Sequence, residues 1–236
     1  MPVFNNVLAG SSGQTSGGAA SSDYTIQRSL RFNSGDSARI KHTPSTSSNR
    51  RTWTWSGWVK ITDSTEANIF TGGTSSSNDF AIRVDSGVLA AQEYSGAWRW
   101  RLKTNRRLRD PSAWYHIVVA FNSTESVSSD RIKIYINGIQ ETSFAIAEYP
   151  SQNFESLVNK TDPRYFGYSP AYSYSSFLLA DANFIDGQAL QASDFGEFDT
   201  TTGVWKPKQF SGTYKGGPYD QGSPFSGMTS TSGNYS

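Results

Sequence analysis

The sequence contains no cysteine, which excludes a thiolate nucleophile, so its carboxylate and imidazole side chains are considered first for acid and base chemistry. Its glutamates are scattered along the whole length: Glu66, Glu93, Glu125, Glu141, Glu148, Glu155 and Glu197. Glycoside hydrolysis needs two carboxyl groups about 5 Å apart. Here Glu148 with Glu155, or Glu93 alone, would need long-range convergence that the sequence does not show. The sequence therefore predicts no catalytic residue and a protein that is not an enzyme.

The two histidines offer little for metal or nucleophilic chemistry. His116 lies inside the apolar run WYHIVVAF, which is typical of a buried core histidine with satisfied hydrogen bonds. His42 lies near a Pro-Ser-Thr segment and lacks the strand-to-helix turn that presents a catalytic serine. Without cysteine, disulfides and thiolate zinc sites are excluded as well.

A run of cations between residues 99 and 109 is the most distinctive charge feature. It contains no acid and comprises Arg99, Arg101, Lys103, Arg106, Arg107 and Arg109. Strand alternation predicts that Arg99, Arg101 and Lys103, the basic stripe, share one face, and that Trp98, Trp100 and Leu102 share the other. Two interpretations stand: the cations pair with acids of neighbouring strands, or they bind an acidic glycan, a phosphate or an acidic protein. A net charge of +1 argues against nucleic acid.

Four tyrosines cluster in residues 164–176, the tyrosine segment, with the sequence RYFGYSPAYSYSS. Tyr, Ser and Gly together are the composition of adaptable recognition loops. Sugar rings stack on exposed aromatic side chains, so the segment is a second candidate binding site, for a glycan. The alternative is that these tyrosines pack between subunits or cap the edge of a sheet. The four residues are Tyr165, Tyr168, Tyr172 and Tyr174.

Composition divides the chain into an arm (residues 1–23), a body (24–214) and a Gly/Ser/Pro-rich tail (215–236). The arm combines a Ser/Gly/Ala run, typical of a flexible linker, with an apolar patch of Val3, Phe4, Val7 and Leu8. This patch is either an anchoring peptide or a frayed terminus. The arm lacks the basic and apolar regions of a signal peptide, and no apolar stretch in the chain is long enough for a membrane helix.

Alternation with a period of two dominates the body, which predicts strands. Residues 52–59 place Trp53, Trp55 and Val59 on one face, and the strand at 131–136 ends in an Asn-Gly type I′ hairpin signal. Helical periodicity is limited to a short turn at 190–195, with Ser193 as its cap. Eight to twelve strands without helices predict an all-β fold, a two-sheet antiparallel jelly-roll sandwich. The other predicted strands are 27–32, 69–71, 80–84, 88–94, 98–102, 114–121 and 176–185.

Five motifs occur in order: SLRFNSGDSARI, TWTWSGWVK, WYHIVVAF, RIKIYINGIQ and SFLLADANFIDGQAL. Over about residues 24–200 they resemble concanavalin A-like lectin/glucanase domains of the laminin G type. The combination of MPVFNN, RDPSAWYHIVVAF and FIDGQAL with DFGEFD and GVW is similar to structural proteins of tailed phages, especially marine phages and cyanophages. The resemblance implies a jelly-roll sandwich. This fold carries lectins, hydrolases and structural modules, so it leaves the function open.

The resemblance also raises the question of calcium, because laminin G-like domains often bind one ion at the rim of the sandwich through an aspartate and backbone carbonyls. Asp36, Asp181 and Asp186 occupy comparable strand ends. No EF-hand loop accompanies them, and aspartates at strand ends usually build turns. Calcium is therefore an expectation that competes with a purely structural role; no other cofactor is expected.

Together these features predict a non-enzymatic phage virion surface protein, made in the host cytoplasm and assembled on the particle through its arm as a capsid decoration or appendage subunit. Its expected partners are other virion proteins and further copies of itself in a homo-oligomer. The alternative is a tail-fibre receptor-binding lectin that holds host surface polysaccharide through the tyrosine segment or the basic stripe. A polysaccharide depolymerase is the weakest of the three hypotheses.

Overall fold

The computed structural model describes residues 24–62, 66–214 and 229–231, which form two large antiparallel sheets and two small ones. The first large sheet contains, in spatial order, β1 (Leu30–Phe32), β15 (Phe177–Asp186), β3 (Thr52–Ile61), β8 (Tyr115–Asn122), β9 (Ile132–Ile136) and β10 (Ile139–Gln140). The second contains β11 (Phe144–Glu148), β7 (Trp98–Arg107), β6 (Val88–Ser95), β5 (Asn78–Asp85), β4 (Glu66–Ser75), β12 (Arg164–Phe166), β2 (Arg39–His42) and β18 (Thr229–Thr231). The two small sheets pair β13 (Tyr168–Ser169) with β14 (Ser173–Tyr174), and β16 (Gly196–Phe198) with β17 (Trp205–Pro207). Short 3-10 turns lie at Ser34–Asp36, Ser128–Asp130 and Ala192–Asp194.

An aromatic core fills the space between the two large sheets. Trp53 and Trp55 of β3 are fully buried, and the Trp53 ring is stacked on Phe121 of β8 with 5.1 Å between ring centroids. From the eight-stranded sheet, Trp100 reaches to 5.8 Å from the same Phe121 ring. Aromatic side chains bury large areas and prefer such offset contacts. The predicted sandwich is confirmed, and so is the predicted shared face of Trp53, Trp55 and Val59.

The outer face of the six-stranded sheet is covered by residues 187–214. Phe195 and Trp205 of this segment pack on Val118 of β8 and Ile185 of β15. Below them, the Trp205 indole Nε1 donates a hydrogen bond of 3.1 Å to His116 Nδ1, so the Nε2–H of this neutral imidazole donates to Ser56 Oγ at 2.9 Å. Burial lowers the pKa of His116 to about 3. The prediction of a satisfied core histidine is therefore confirmed.

Most predicted strand boundaries lie within two residues of those in the structure, but the strands predicted at 69–71 and 98–102 cover only parts of the ten-residue strands β4 and β7. Asn137 and Gly138 have φ values of 50° and 81°, as a type I′ hairpin requires, so that prediction is confirmed. The strand predicted at 27–32 begins only at Leu30. The predicted cap Ser193 is wrong, because Gln191 and Asp194 form the capping box of the last 3-10 turn. The described residues form eighteen strands, more than the eight to twelve predicted; most of the additional ones have two or three residues and are too short to show alternation in the sequence.

Some predicted features lie outside the described residues. These are the arm with Val3, Phe4, Val7 and Leu8, and the tail apart from the backbone of β18. In the part of the chain that the structure describes, no helix is long and apolar enough to cross a membrane.

Candidate ligand-binding face

The register of the eight-stranded sheet brings distant parts of the sequence onto one face. Tyr165 of β12 lies opposite Thr71 of β4, and the same row continues through Ala81 and Gln92 to Arg101 of β7. The neighbouring row, which includes Phe80 and Trp100, points into the core. Because side chains alternate along a strand, the Tyr165–Arg101 row faces away from the core. We refer to this outward side of the eight-stranded sheet as the polar face.

The hairpin of β13 and β14 lies across the polar face. Thr71 Oγ1 donates to the carbonyl oxygen of Tyr168. Asn68 of β4 fixes the other strand, because its Nδ2 donates to the carbonyl of Ser173 at 2.9 Å and its backbone N–H donates to Ser175 Oγ at 2.7 Å. The tyrosine segment is therefore built into the sheet and its covering hairpin, and is not the loop that its composition suggested.

The four tyrosines fall into two groups. Tyr168 and Tyr174 have ring centroids 4.7 Å apart and share Arg39, whose guanidinium carbon lies 5.1 Å and 5.7 Å from the two centroids. Tyr165 packs edge-on against Tyr168 at 5.0 Å. Tyr172 stands apart, and its hydroxyl accepts a hydrogen bond of 2.7 Å from Gln92 Nε2. The predicted cluster therefore exists as a triad, with Tyr172 placed further along the same face.

Two of the three cations of the basic stripe pair with acids of other strands in the same sheet. Arg101 pairs with Glu148 at 3.3 Å and Lys103 with Asp85 at 2.8 Å. The interpretation that the cations pair with acids of neighbouring strands is therefore confirmed for Arg101, whereas Lys103 pairs across β6; ligand binding by the stripe stays a prediction. Arg106, from the same cationic run, pairs with the buried Glu141 at 2.7 Å.

A β-bulge corrects the predicted faces of β7. Trp100 pairs with Glu93 and Trp98 with Tyr94, so Arg99 is the extra residue of the bulge. Trp98 therefore does not share the buried face of Trp100. It lies beside Tyr94 on the polar face, 41% exposed, with the Arg101 guanidinium carbon 4.5 Å from its ring centroid.

Sequence reasoning missed two charged residues of β5 on the polar face. Arg83 is almost completely buried and lies 3.9 Å from the centroid of the Tyr172 ring. Asp79 is only 3% exposed, and its Oδ2 accepts no hydrogen bond in the described structure. Burial raises the pKa of Asp79 to about 7, although the nearby Arg83 acts in the opposite direction.

Comparison with known families identifies the fold. A family model described as the concanavalin A-like lectin/glucanases superfamily matches residues 32–194. The chain belongs to this superfamily. A comparison with curated proteins finds no match.

Solved structures with the superfamily fold are similar to the chain at low sequence identity. The LG1-3 region of the laminin alpha2 chain gives a TM-score of 0.50 at 15% identity, covering 68% of this chain and 31% of that chain. Mouse laminin alpha1 domains LG4-5 give 0.48 at 11%, covering 72% and 45%. The heptameric SAP-like pentraxin from Limulus polyphemus gives 0.44 at 16%, covering 69% and 77%. The chain thus spans less than half of the laminin structures, and these likenesses concern the fold alone.

The three aspartates that the superfamily resemblance suggested for calcium are not assembled into one site. Asp36 lies in the first 3-10 turn, where its side chain accepts from Asn33 Nδ2 at 2.7 Å. Asp181 accepts from the hydroxyl of Tyr24 at 3.0 Å, and Asp186 accepts from Asn159 Nδ2 at 2.7 Å. Within the described ranges no group of three or more carboxylate or imidazole side chains could hold a metal ion. They therefore do not form one three-aspartate site, and calcium held by a single aspartate with backbone carbonyls stays a prediction.

The glutamates considered for hydrolysis are also held in structural contacts. Glu93 points into the core, where its Oε2 accepts from Ser156 Oγ at 2.6 Å, Leu157 N at 3.0 Å and Trp100 Nε1 at 3.3 Å. Burial raises the pKa of Glu93 to about 7, although these hydrogen bonds act in the opposite direction. Glu148 is paired with Arg101 on the polar face. Glu93 thus lies on the core side of the sheet, and a ligand bound to the polar face does not contact its carboxyl group.

Proposed function

We propose that the protein is a non-enzymatic surface protein of a tailed-phage particle, and that its sandwich binds host surface polysaccharide through the polar face. The observation that carries the binding proposal is the sheet register, which brings the tyrosine segment, Trp98 and Arg101 to one face. Aromatic rings beside hydrogen-bonding side chains are what a sugar requires, because its ring stacks while its hydroxyls bind polar groups. The fold of the superfamily supports a binding role.

The location on a particle is supported by the phage-like motifs and by the geometry of the body ends. Tyr214 donates from its hydroxyl to Asn183 Oδ1 at 2.6 Å, and Tyr24 donates to Asp181, two residues earlier in β15. Both tyrosines are thus hydrogen-bonded to β15 of the six-stranded sheet, whereas the polar face is on the eight-stranded sheet. An arm that anchors the chain from this side would leave the polar face directed outward.

Exposed aromatic side chains on opposite sides of the sandwich provide the test of polysaccharide binding. The full chain is applied to an array of bacterial surface polysaccharides, together with Trp98→Ala and the control Phe198→Ala. The two residues are similarly exposed, at 41% and 48%, but Phe198 lies in β16, beside Trp205, on the covered side of the six-stranded sheet. We expect Trp98→Ala to weaken binding at least tenfold, or about 1.4 kcal/mol, and Phe198→Ala to leave it unchanged. Equal effects of the two variants would place the ligand elsewhere.

The arm is tested separately, because anchoring and polysaccharide binding are independent. Serine replaces Val3, Phe4, Val7 and Leu8, so the length of the arm and its linker stays the same. This variant is expected to fold and bind polysaccharide like the wild type but to be missing from purified particles. Normal incorporation would reject the anchoring role, and wild-type protein located away from the particle surface would reject the virion proposal itself.

The absence of enzymatic activity is the third part of the proposal. Incubation of the protein with the polysaccharide that it binds is expected to release no reducing ends. Steady release, abolished by a carboxamide at one glutamate, would favour the depolymerase hypothesis instead.

A further inference from the structure

The side chain of Tyr172 fills a depression in the polar face. Ala81 lies opposite Gln92, and Arg83 lies opposite Ala90, so two alanines and two long polar residues form a square on β5 and β6. The Tyr172 ring contacts Arg83 and its hydroxyl contacts Gln92, at opposite corners of this square. Both alanines are fully buried although they lie on the outward side of the sheet. The ring therefore occupies a space that the small alanine side chains leave open.

The covered space contains a polar atom whose hydrogen-bonding capacity is unused. Asp79 lies on the same strand face as Ala81 and Arg83, and it is close enough to Tyr172 that its negative charge helps to raise the pKa of the Tyr172 phenol. Asp79 Oδ2 is buried and accepts no hydrogen bond from the described residues. An unsatisfied buried carboxylate oxygen is costly, so this atom is a vacant acceptor for a hydroxyl donor.

The charges around the depression select against anions. Arg83 is engaged by Glu66 at 3.0 Å and faces Asp85 at 3.7 Å, and Lys103 is engaged by the same Asp85 at 2.8 Å. Above the pKa of Asp79, about 7, three carboxylates thus lie near two cations. A neutral ligand with several hydroxyl groups meets no repulsion here, whereas an acidic sugar would.

The hairpin that carries Tyr172 is short and strained. Its strands β13 and β14 have two residues each, and Ser173, next to Tyr172, has a φ of 70°. A residue with a side chain in this left-handed region carries backbone strain, which offsets part of the stabilisation that the hydrogen bonds from Asn68 and Thr71 give the hairpin.

We propose that Tyr172 is a displaceable plug over a subsite for a neutral pyranose ring, in which sugar hydroxyls donate to Asp79 Oδ2 and accept from Gln92 Nε2. This inference rests on the proposed polysaccharide-binding function and specifies its ligand class. In the unbound protein the ring of Tyr172 occupies the subsite, and the sugar ring displaces it on binding. The apparent affinity of the wild type is reduced by the fraction of molecules in which the plug is seated.

The test compares the full chain with Tyr172→Ala and Tyr172→Phe by calorimetric titration. The probes are neutral methyl glycosides of glucose, galactose and mannose, and the acidic sugars glucuronate and N-acetylneuraminate. We expect Tyr172→Ala to bind at least one neutral glycoside about tenfold more tightly than the wild type, with no gain for the acidic sugars. Tyr172→Phe retains the ring and is expected to show no such gain. Asp79→Asn added to Tyr172→Ala should abolish the gain, because an amide NH₂ replaces the acceptor oxygen.

If Tyr172→Ala fails to fold, Pro170→Gly is the substitute variant, because it keeps the Tyr172 ring but makes the hairpin more flexible. We expect it to show a smaller gain in affinity for neutral sugars. The carboxyl ¹³C resonance of Asp79 gives a readout without ligand, since uncovering Asp79 should lower its pKa from about 7. If Tyr172→Ala binds the neutral glycosides no more tightly than the wild type, the plug is overturned. The proposed function then stands, provided that the wild type binds polysaccharide and Trp98→Ala does not. Failure of the wild type and all variants to bind any sugar would overturn both.

Discussion

The buried carboxyl group of Glu93 allows a sharp test of the core beneath the polar face. Its Oε2 accepts hydrogen bonds from Trp100 in β7 and from Ser156 and Leu157 in the segment that follows β11. Replacement by glutamine keeps an acceptor oxygen for these donors and removes the ionisable group. The variant Glu93→Gln therefore isolates the effect of charge from that of shape.

The size of the effect follows from the pKa of Glu93. Burial raises this pKa from 4.5 to about 7, so the folded protein holds the proton more tightly than the unfolded chain. The stability that this proton contributes is fully present below pH 4.5 and is lost as the pH rises through about 7. The difference between these two pKa values corresponds to about 3 kcal/mol. Because glutamine does not titrate, Glu93→Gln should gain about this amount relative to the wild type over that pH range.

The assay is urea unfolding followed by tryptophan fluorescence, from below pH 4.5 to above pH 7. The quantity of interest is the difference in the free energy of unfolding between Glu93→Gln and the wild type, because other titrating groups occur in both proteins and cancel. Glu148→Gln, which removes an exposed ion pair with Arg101, is the control and should change stability by less than about 1 kcal/mol. A difference for Glu93→Gln that stays constant across the pH range would refute the reasoning.

Other contacts give shorter tests. His116 should remain neutral and protonated on Nε2 at pH 5 in ¹⁵N NMR spectra; a doubly protonated ring would contradict the pKa of about 3. Because that pKa is lowered, the stability that His116 contributes is present above pH 6.5 and is lost as the pH falls towards 3. Gly138→Ala would place a Cβ 2.3 Å from the Trp205 ring, whereas Gly203→Ala, with a similar positive φ, meets nothing within 4 Å. Gly138→Ala should therefore cost about 1–3 kcal/mol more in chemical denaturation, and equal costs would contradict the packing of Trp205.

The elements that the sequence predicts well are those with long, regular alternation. Residues 52–59 and 114–121 became the central strands β3 and β8 because their apolar side chains are buried in the core and against the covering segment. The face of Trp98 was mispredicted because the bulge at Arg99 depends on how β7 pairs with β6. The change of register at a bulge depends on the partner strand, and the alternation pattern of one strand contains no information about its partner.

The candidate site was only partly visible in the sequence. The tyrosine segment and the basic stripe were identified as separate features, and the sheet register across β12, β4, β5, β6 and β7 brings them together. Asp79 was missed because it precedes the predicted strand at 80–84, and Arg83 was missed because composition does not distinguish a buried polar residue from a solvent-facing one. The pairing of Lys103 with Asp85 likewise depends on tertiary structure, since the two residues lie on strands separated by β6.

The central claim, binding through the polar face, is tested most directly by NMR mapping of the full chain with the oligosaccharide that binds most tightly on the array. The account predicts that backbone amide shifts concentrate around Thr71, Gln92, Trp98 and Arg101, with little change in β3, β8 and β9. Shifts confined to the six-stranded sheet, or no shifts with any oligosaccharide, would contradict the account.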